Sequence, residues 1–227
     1  MGKRGPKPKG KVKIEWSPDF AYAIGLLATD GNLSKDGRHI SFTSKDLEQI
    51  INFESALKIE VLISKKARLN KRGKRYHVVQ FSDVTFFTFL ISIGITPAKS
   101  KTLGKIKIPK VLFLDFLRGV LDGDGYIHSY FDPRWKSSFL WYLGFCSASP
   151  KFLIWIRKEL FIRFGVKGHI TKSEGQSCQQ LKYAKNEARL IVGRLYEDPT
   201  SLCLSRKKLK IQRILAIVDG LGRRSDR

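Results

Sequence analysis

A chain of 227 residues with 42% apolar side chains is long enough to bury a core, which excludes disorder throughout, and 43 lysines and arginines against 20 acidic residues leave a formal charge of +23. Such an imbalance repels itself unless a polyanion neutralises it, so nucleic acid is the expected partner. The three cysteines (Cys146, Cys178, Cys203) and four histidines (His39, His77, His128, His169) are too scattered for a zinc site or a disulfide framework.

Residues 1–15, MGKRGPKPKGKVKIE, combine Pro, Gly and Lys with almost nothing to bury and are expected to form a basic flexible tail, suited to phosphates or a minor groove. No apolar run follows Lys3, Arg4, Lys7 and Lys9, so no signal peptide is expected. From Ser17, a candidate cap, Pro18 suits a first helical turn, and Phe20 to Ala28 carry no strongly polar group except the Tyr22 hydroxyl. A helix apolar all round is expected to be buried, and this one runs out at Asp30-Gly31.

His39 to Thr43 then read as a strand, Leu47, Ile50, Ile51, Phe53 and Leu57 as a helix, Val61 to Phe81 as a basic hairpin, and Phe86, Phe87, Leu90 and Ile91 as another helix. The stretch Phe86 to Ile95, interrupted by Thr88 and Ser92, is too short to span a bilayer, so no membrane partner is expected. Beyond Pro109 the pattern repeats: Leu112, Phe113, Phe116, Leu117, Val120 and Leu121 lie at helical spacing before Asp122-Gly123-Asp124-Gly125. A strand over Phe139 to Cys146, a helix through Phe152, Ile156 and Leu160, strands near Gly168 to Lys172 and Gln179 to Tyr183, and a helix through Leu190, Val192 and Leu195 follow. Asp30 and Asp124 are 94 residues apart, about one such unit. The expected class is α+β, a tandem pseudo-twofold repeat of α-β-β-α-β-β-α units, with an N-terminal half over 16–96, a linker over 97–109 and a C-terminal half over 110–227.

An Asp-Gly pair at a helix end is a common turn, with glycine in the left-handed conformation. Yet an aspartate there faces the negative end of the helix dipole, and the same unfavourable choice occurs at both helix ends; a bound cation would resolve the conflict. Gly25 and Thr29, like Gly119 and Gly123, are spaced to share one helix face. If those faces pack in parallel, Asp30 and Asp124 arrive side by side, and their mutual repulsion favours a divalent metal suited to phosphodiester hydrolysis.

Ala23-Ile24-Gly25-Leu26-Leu27-Ala28-Thr29-Asp30-Gly31 and Leu117-Arg118-Gly119-Val120-Leu121-Asp122-Gly123-Asp124-Gly125 resemble the two motifs of monomeric LAGLIDADG homing endonucleases. The resemblance implies two curved antiparallel sheets forming a DNA-binding saddle, with the two motif helices at the interface between halves. It further implies Mg2+ or Mn2+ held by Asp30 and Asp124, with backbone carbonyls near Thr29 and Gly123 as helpers. The implied activity is a double-strand break at a long asymmetric target, in the setting of intron homing. Basic residues beside the catalytic centre in that family correspond here to Lys99 or Lys101 and to Lys207. The first motif departs in having Ala28 where the pattern places an earlier acidic residue, whereas the second keeps Asp122.

Strands that read a major groove need polar side chains alternating on one sheet face. Candidates in the first half are Arg38, Ser41, Thr43, Lys66, Arg68, Asn70, Arg72, Arg75, His77 and Gln80; in the second they are Tyr130, Arg134, Lys136, Ser138, Lys172, Gln176, Gln180 and Lys182. The expected partner is double-stranded DNA, bound by a monomer without an obligate protein partner, in an intracellular setting with the host genome. No acidic residue is followed two positions later by lysine, so another common nuclease core is absent. Two alternatives keep the fold and change its job: an intron maturase that binds RNA, and a DNA-binding regulator that does not cut.

Overall fold

The computed structural model describes residues 10–67, 75–135, 138–172 and 175–225, without the side chains of residues 66, 67, 75 and 222–225. Helix α1 (Pro18–Thr29) starts where the Ser17 hydroxyl accepts from the Phe20 amide at 3.1 Å, with Pro18 in its first turn. It is buried continuously from Phe20 to Ala28. After it come β1 (Gly31–Leu33), β2 (His39–Ser44), α2 (Leu47–Leu57), β3 (Ser64–Ala67), β4 (Arg75–Ser82) and α3 (Val84–Ile93). Two short 3-10 turns, Lys99–Lys101 and Lys110–Leu112, lead to α4 (Phe113–Asp124), and then the series recurs as β5 (Gly125–Phe131), β6 (Phe139–Ser147), α5 (Pro150–Phe164), β7 (His169–Lys172), β8 (Gln179–Ala184) and α6 (Lys185–Leu195).

The two antiparallel sheets have the same strand order, β1-β2-β4-β3 and β5-β6-β8-β7, so the repeated sequence pattern builds one topology twice. A last helix, α7 (Ser205–Ser225), follows the second unit. The sequence pattern gives no expected element beyond Leu195, so this helix is an addition to it.

Alternation divides each sheet into two faces. Ile40, Phe42, Val79 and Phe81 in one sheet, and Ile127, Trp141, Leu143, Phe145, Leu181 and Tyr183 in the other, are buried against the helices. Phe42, for example, stacks on Phe53 of α2 at 4.6 Å between ring centroids. The opposite face of each sheet is largely polar and lies more open to solvent, with Val78 on the first and Leu140 on the second as apolar exceptions.

The two central helices run parallel in direct backbone contact. A Cβ added at Gly25 would lie 2.2 Å from the Phe116 carbonyl oxygen, and one at Gly119 would lie 2.1 Å from that of Tyr22. Only glycine permits this approach, which brings both helix C-termini to the same end of the pair.

Two expectations are corrected. Residues 10–15 do not belong to a free tail, because the amides of Lys11 and Val12 donate to Asp83 Oδ2 at 2.6 and 2.9 Å and Val12 is buried; residues 1–9 lie outside the described residues. Asp83 also accepts from the Phe86 amide at 2.8 Å, so one carboxylate caps α3 and pins the N-terminal segment. Nor are Gly31 and Gly125 left-handed, since neither is among the positive-φ residues. Each is glycine because a Cβ would lie 2.6 Å from the carbonyl oxygen of Leu27 or of Leu121, as the chain turns directly from helix into strand.

Candidate active site

Asp30 and Asp124 stand at the shared end of the parallel pair, both exposed on one side. Thr29 and Gly123, the residues before them, touch: a Cβ at Gly123 would lie 2.0 Å from Thr29 Oγ1 and 3.0 Å from Asp30 Oδ2. The surrounding protein wall and then the negative charge of Asp124 push Asp30 up to about 7. Burial likewise raises Asp124, against the pull of Lys99 and Lys207. A pair this reluctant to ionise together is suited to a hard cation with oxygen ligands.

Among the described residues no group of three or more His, Cys, Asp and Glu is placed to hold a metal. A metal at the two aspartates would therefore complete its shell with backbone carbonyls, substrate oxygens and water, as magnesium does readily. The donor set fits that ion.

Behind the carboxylates lie two buried lysines, Lys99 and Lys207. Lys99 Nζ donates to the carbonyl of Gly31 and, at 3.4 Å, to that of Thr29. Lys207 Nζ donates to Leu121 O, Asp122 O and Gly125 O, the last two at 2.9 and 2.7 Å. Burial lowers each ammonium to about 8, against the opposing charges of the aspartates. These two cations answer the dipole conflict seen in the sequence: each caps the carbonyl end of one motif helix. Because an ammonium has three N–H donors, Lys207 has none left over for a phosphate, while Lys99 retains one. Lys101, the alternative to Lys99, is exposed on the same 3-10 turn.

Asp122 has a different environment from Asp124 although only two residues separate them. It is buried and accepts from the Tyr22 hydroxyl at 2.8 Å and from the Leu204 amide at 2.7 Å, tying α1, α4 and the approach to α7 together. Burial raises it to about 6, opposed by these hydrogen bonds. The earlier acidic position of the second motif is thus a structural strut.

The open sheet faces receive part of the expected reading set. Ser41, Thr43 and Gln80 share one face, and register adds Asn32, opposite Ser41. On the second sheet Tyr130, Gln180 and Lys182 share the open face with Tyr126, His128, Tyr142, Cys146, His169 and Thr171. Seven of these, Tyr126, His128, Tyr130, Tyr142, Cys146, Gln180 and Lys182, line a hollow of about 620 Å³. The alternation of Tyr126, His128 and Tyr130 was the available signal for this missed strand.

Two candidates fall on the wrong face. His77 alternates with Val79 and Phe81, and its Nδ1 is buried without a partner among the described residues. Lys172 shares the parity of Ile170, which pairs with the buried Leu181. Arg38 and Arg134 occupy hairpin loops, beside Asp36 and Asp132 respectively, with Ser138 in the latter turn. Gln176 lies in the β7–β8 loop. Arg68, Asn70, Arg72 and Lys136 lie outside the described residues, as do the side chains of Lys66 and Arg75.

No family model and no curated protein matches the sequence. Solved structures do match the fold. The chain is similar to full-length DUF199/WhiA from Thermatoga maritima, at 19% identity and a TM-score of 0.55 over 91% of this chain, but spans 63% of that protein's length. Likeness is more even to the homing endonuclease I-WcaI bound to its DNA recognition sequence, at 16% identity, TM-score 0.59 and 86% of each chain. It is similar again to I-SmaMI bound to uncleaved DNA target in the presence of calcium ions, at 12% identity, TM-score 0.60, and 91% and 94% of the two chains. The fold is the one shared by LAGLIDADG homing endonucleases and the LAGLIDADG domain of WhiA.

Proposed function

We propose that this LAGLIDADG-fold chain is a site-specific, divalent-metal-dependent DNA endonuclease of the homing type, acting as a monomer that makes a double-strand break at a long asymmetric target. The observation that carries this reading is the pair of solvent-open carboxylates, Asp30 and Asp124, held together by glycine-mediated contact between two parallel helices. A DNA-binding protein that does not cut gains nothing from paired carboxylates beside phosphate, because they weaken its hold on the polyanion. Similarity to structures solved with DNA adds support at the level of fold.

In this reading Asp30 and Asp124 hold Mg2+ or Mn2+, helped by the carbonyls of Thr29 and Gly123. The ion supplies activation of water and stabilisation of charge on the attacking and leaving oxygens. The chain's own residues set the geometry. Gly25 and Gly119 fix the spacing of the carboxylates; Lys99 and Lys207 anchor the helix ends that carry them and moderate their repulsion. Lys99 keeps one N–H that can turn to a phosphate oxygen. The open faces of both sheets, different in every row, receive the two halves of an asymmetric duplex in an intracellular setting with the host DNA. A charge of +23 supplies the general attraction.

The test is cleavage of duplexes selected from a randomised library. Magnesium-dependent cutting lost in Asp30→Asn and in Asp124→Asn, with binding kept, is the expected outcome. Undiminished cutting in both variants would remove the mechanism, and tight binding of intron RNA with no DNA cutting would favour the maturase reading.

A further inference from the structure

One contact in the hollow on the second sheet sets the hydrogen-bonding character of a neighbouring side chain. Tyr126, two residues beyond Asp124, lies across Gly144, where an added Cβ would meet its Cζ at 2.2 Å; glycine makes the seat for the ring. Seated there, the Tyr126 hydroxyl donates to Gln180 Oε1 at 2.9 Å. A glutamine amide has one oxygen with two lone pairs and two N–H donors; Tyr126 takes one lone pair, and nothing among the described residues accepts from Gln180 Nε2.

We propose that Tyr126 biases Gln180 toward donating, which favours guanine over adenine at the base pair it meets. The inference rests on the DNA-binding reading of the open sheet faces. A free glutamine suits adenine because its oxygen takes the N6–H while its N–H reaches N7. With one lone pair of the oxygen already taken by Tyr126, the amide accepts less readily from adenine's amino group, and cytosine opposes one donor with another. Guanine presents two acceptors, N7 and O6, to the same donors. Lys182, also on this face and in register with Gly144, adds a side chain that can only donate.

The experiment is selection by binding from randomised duplexes, in calcium, with base preferences read by sequencing. Wild type should show a position of guanine preference that Gln180→Ala flattens. Tyr126→Phe, which keeps the ring over Gly144, should raise adenine relative to guanine there by roughly tenfold, and should change nothing further in the Gln180→Ala background. Gln180→Glu, which replaces the donors with acceptors, should turn the preference toward cytosine, and Tyr126→Leu, which also removes the hydroxyl, carries the question of the Tyr126 bond if Tyr126→Phe does not fold. No position altered by Gln180→Ala, or one altered whose guanine-to-adenine ratio ignores Tyr126→Phe, would overturn the proposal and leave DNA binding standing. No enriched sequence with the wild type would overturn the DNA-binding reading as well.

Discussion

Gly119→Ala tests the helix pair on which the site depends, because its expected effect has the opposite sign from the general rule. Alanine in place of a helical glycine ordinarily stabilises by about 0.4–1 kcal/mol. At Gly119 the new Cβ would stand 2.1 Å from the Tyr22 carbonyl oxygen, where ordinary contact begins at 3.4 Å. The obstacle is backbone, so no side chain can swing aside; α1 and α4 must part by more than about 1 Å, along a seam where Gly25 is equally tight. Overpacking of this kind costs ~1–3 kcal/mol when side chains can adjust, and the upper end is the minimum expected here. For a chain of this size ~3 kcal/mol lowers the melting temperature by roughly 6–12 °C. Parting the helices also separates Asp30 from Asp124, and a displacement near 1 Å reduces cutting about 100-fold. Denaturant melts give the first number and single-turnover cleavage the second. Gly193→Ala and Gly220→Ala, in α6 and α7 with nothing within 4 Å of the new Cβ, should instead be neutral or stabilising. A Gly119→Ala protein that melts like these controls would refute the close-packed interface.

Other variants probe the remaining parts of the site. Because Asp30 is raised to about 7 from an ordinary 3.8, the metal-free folded state binds the extra proton; its stability is fully present below the unfolded value and falls as pH rises through that window. Urea melts across it should show a shallower loss for Asp30→Asn, and a wild-type slope equal to the variant's would contradict the shift. Lys207→Met leaves three carbonyls without their shared donor and should destabilise the DNA-free protein by ~2–3 kcal/mol, an effect absent if the lysine only touched phosphate. Tyr22→Phe removes the hydroxyl that reaches Asp122 across the helix pair and should cost ~1–3 kcal/mol by the same assay, with Asp30 and Asp124 intact.

Periodicity carried the architecture well. Two all-apolar helices ending in acidic turns, and the recurrence of helix, strand and helix patterns after each, are local signals, and they lead to two sheets of identical strand order. The reading face was only half legible. Ser41, Thr43 and Gln80 lie on it, but His77 and Lys172 looked equally polar and sit on the other parity, since a strand's face depends on register with its neighbours. Strand β5 was missed because it starts with no loop after α4, so Tyr126 and His128 did not stand out as an alternating pair.

What the sequence determined by itself was the pairing of carboxylates with small residues at helical spacing, because glycine and aspartate at fixed offsets constrain backbone and charge wherever the chain folds. Tertiary structure alone decided that Lys99 and Lys207 are helix caps and that Asp122 is a strut and not a second open carboxylate. Hydrogen-bond partners 68 to 100 residues away leave no mark on the local pattern, and burial fixes the role of each charged group.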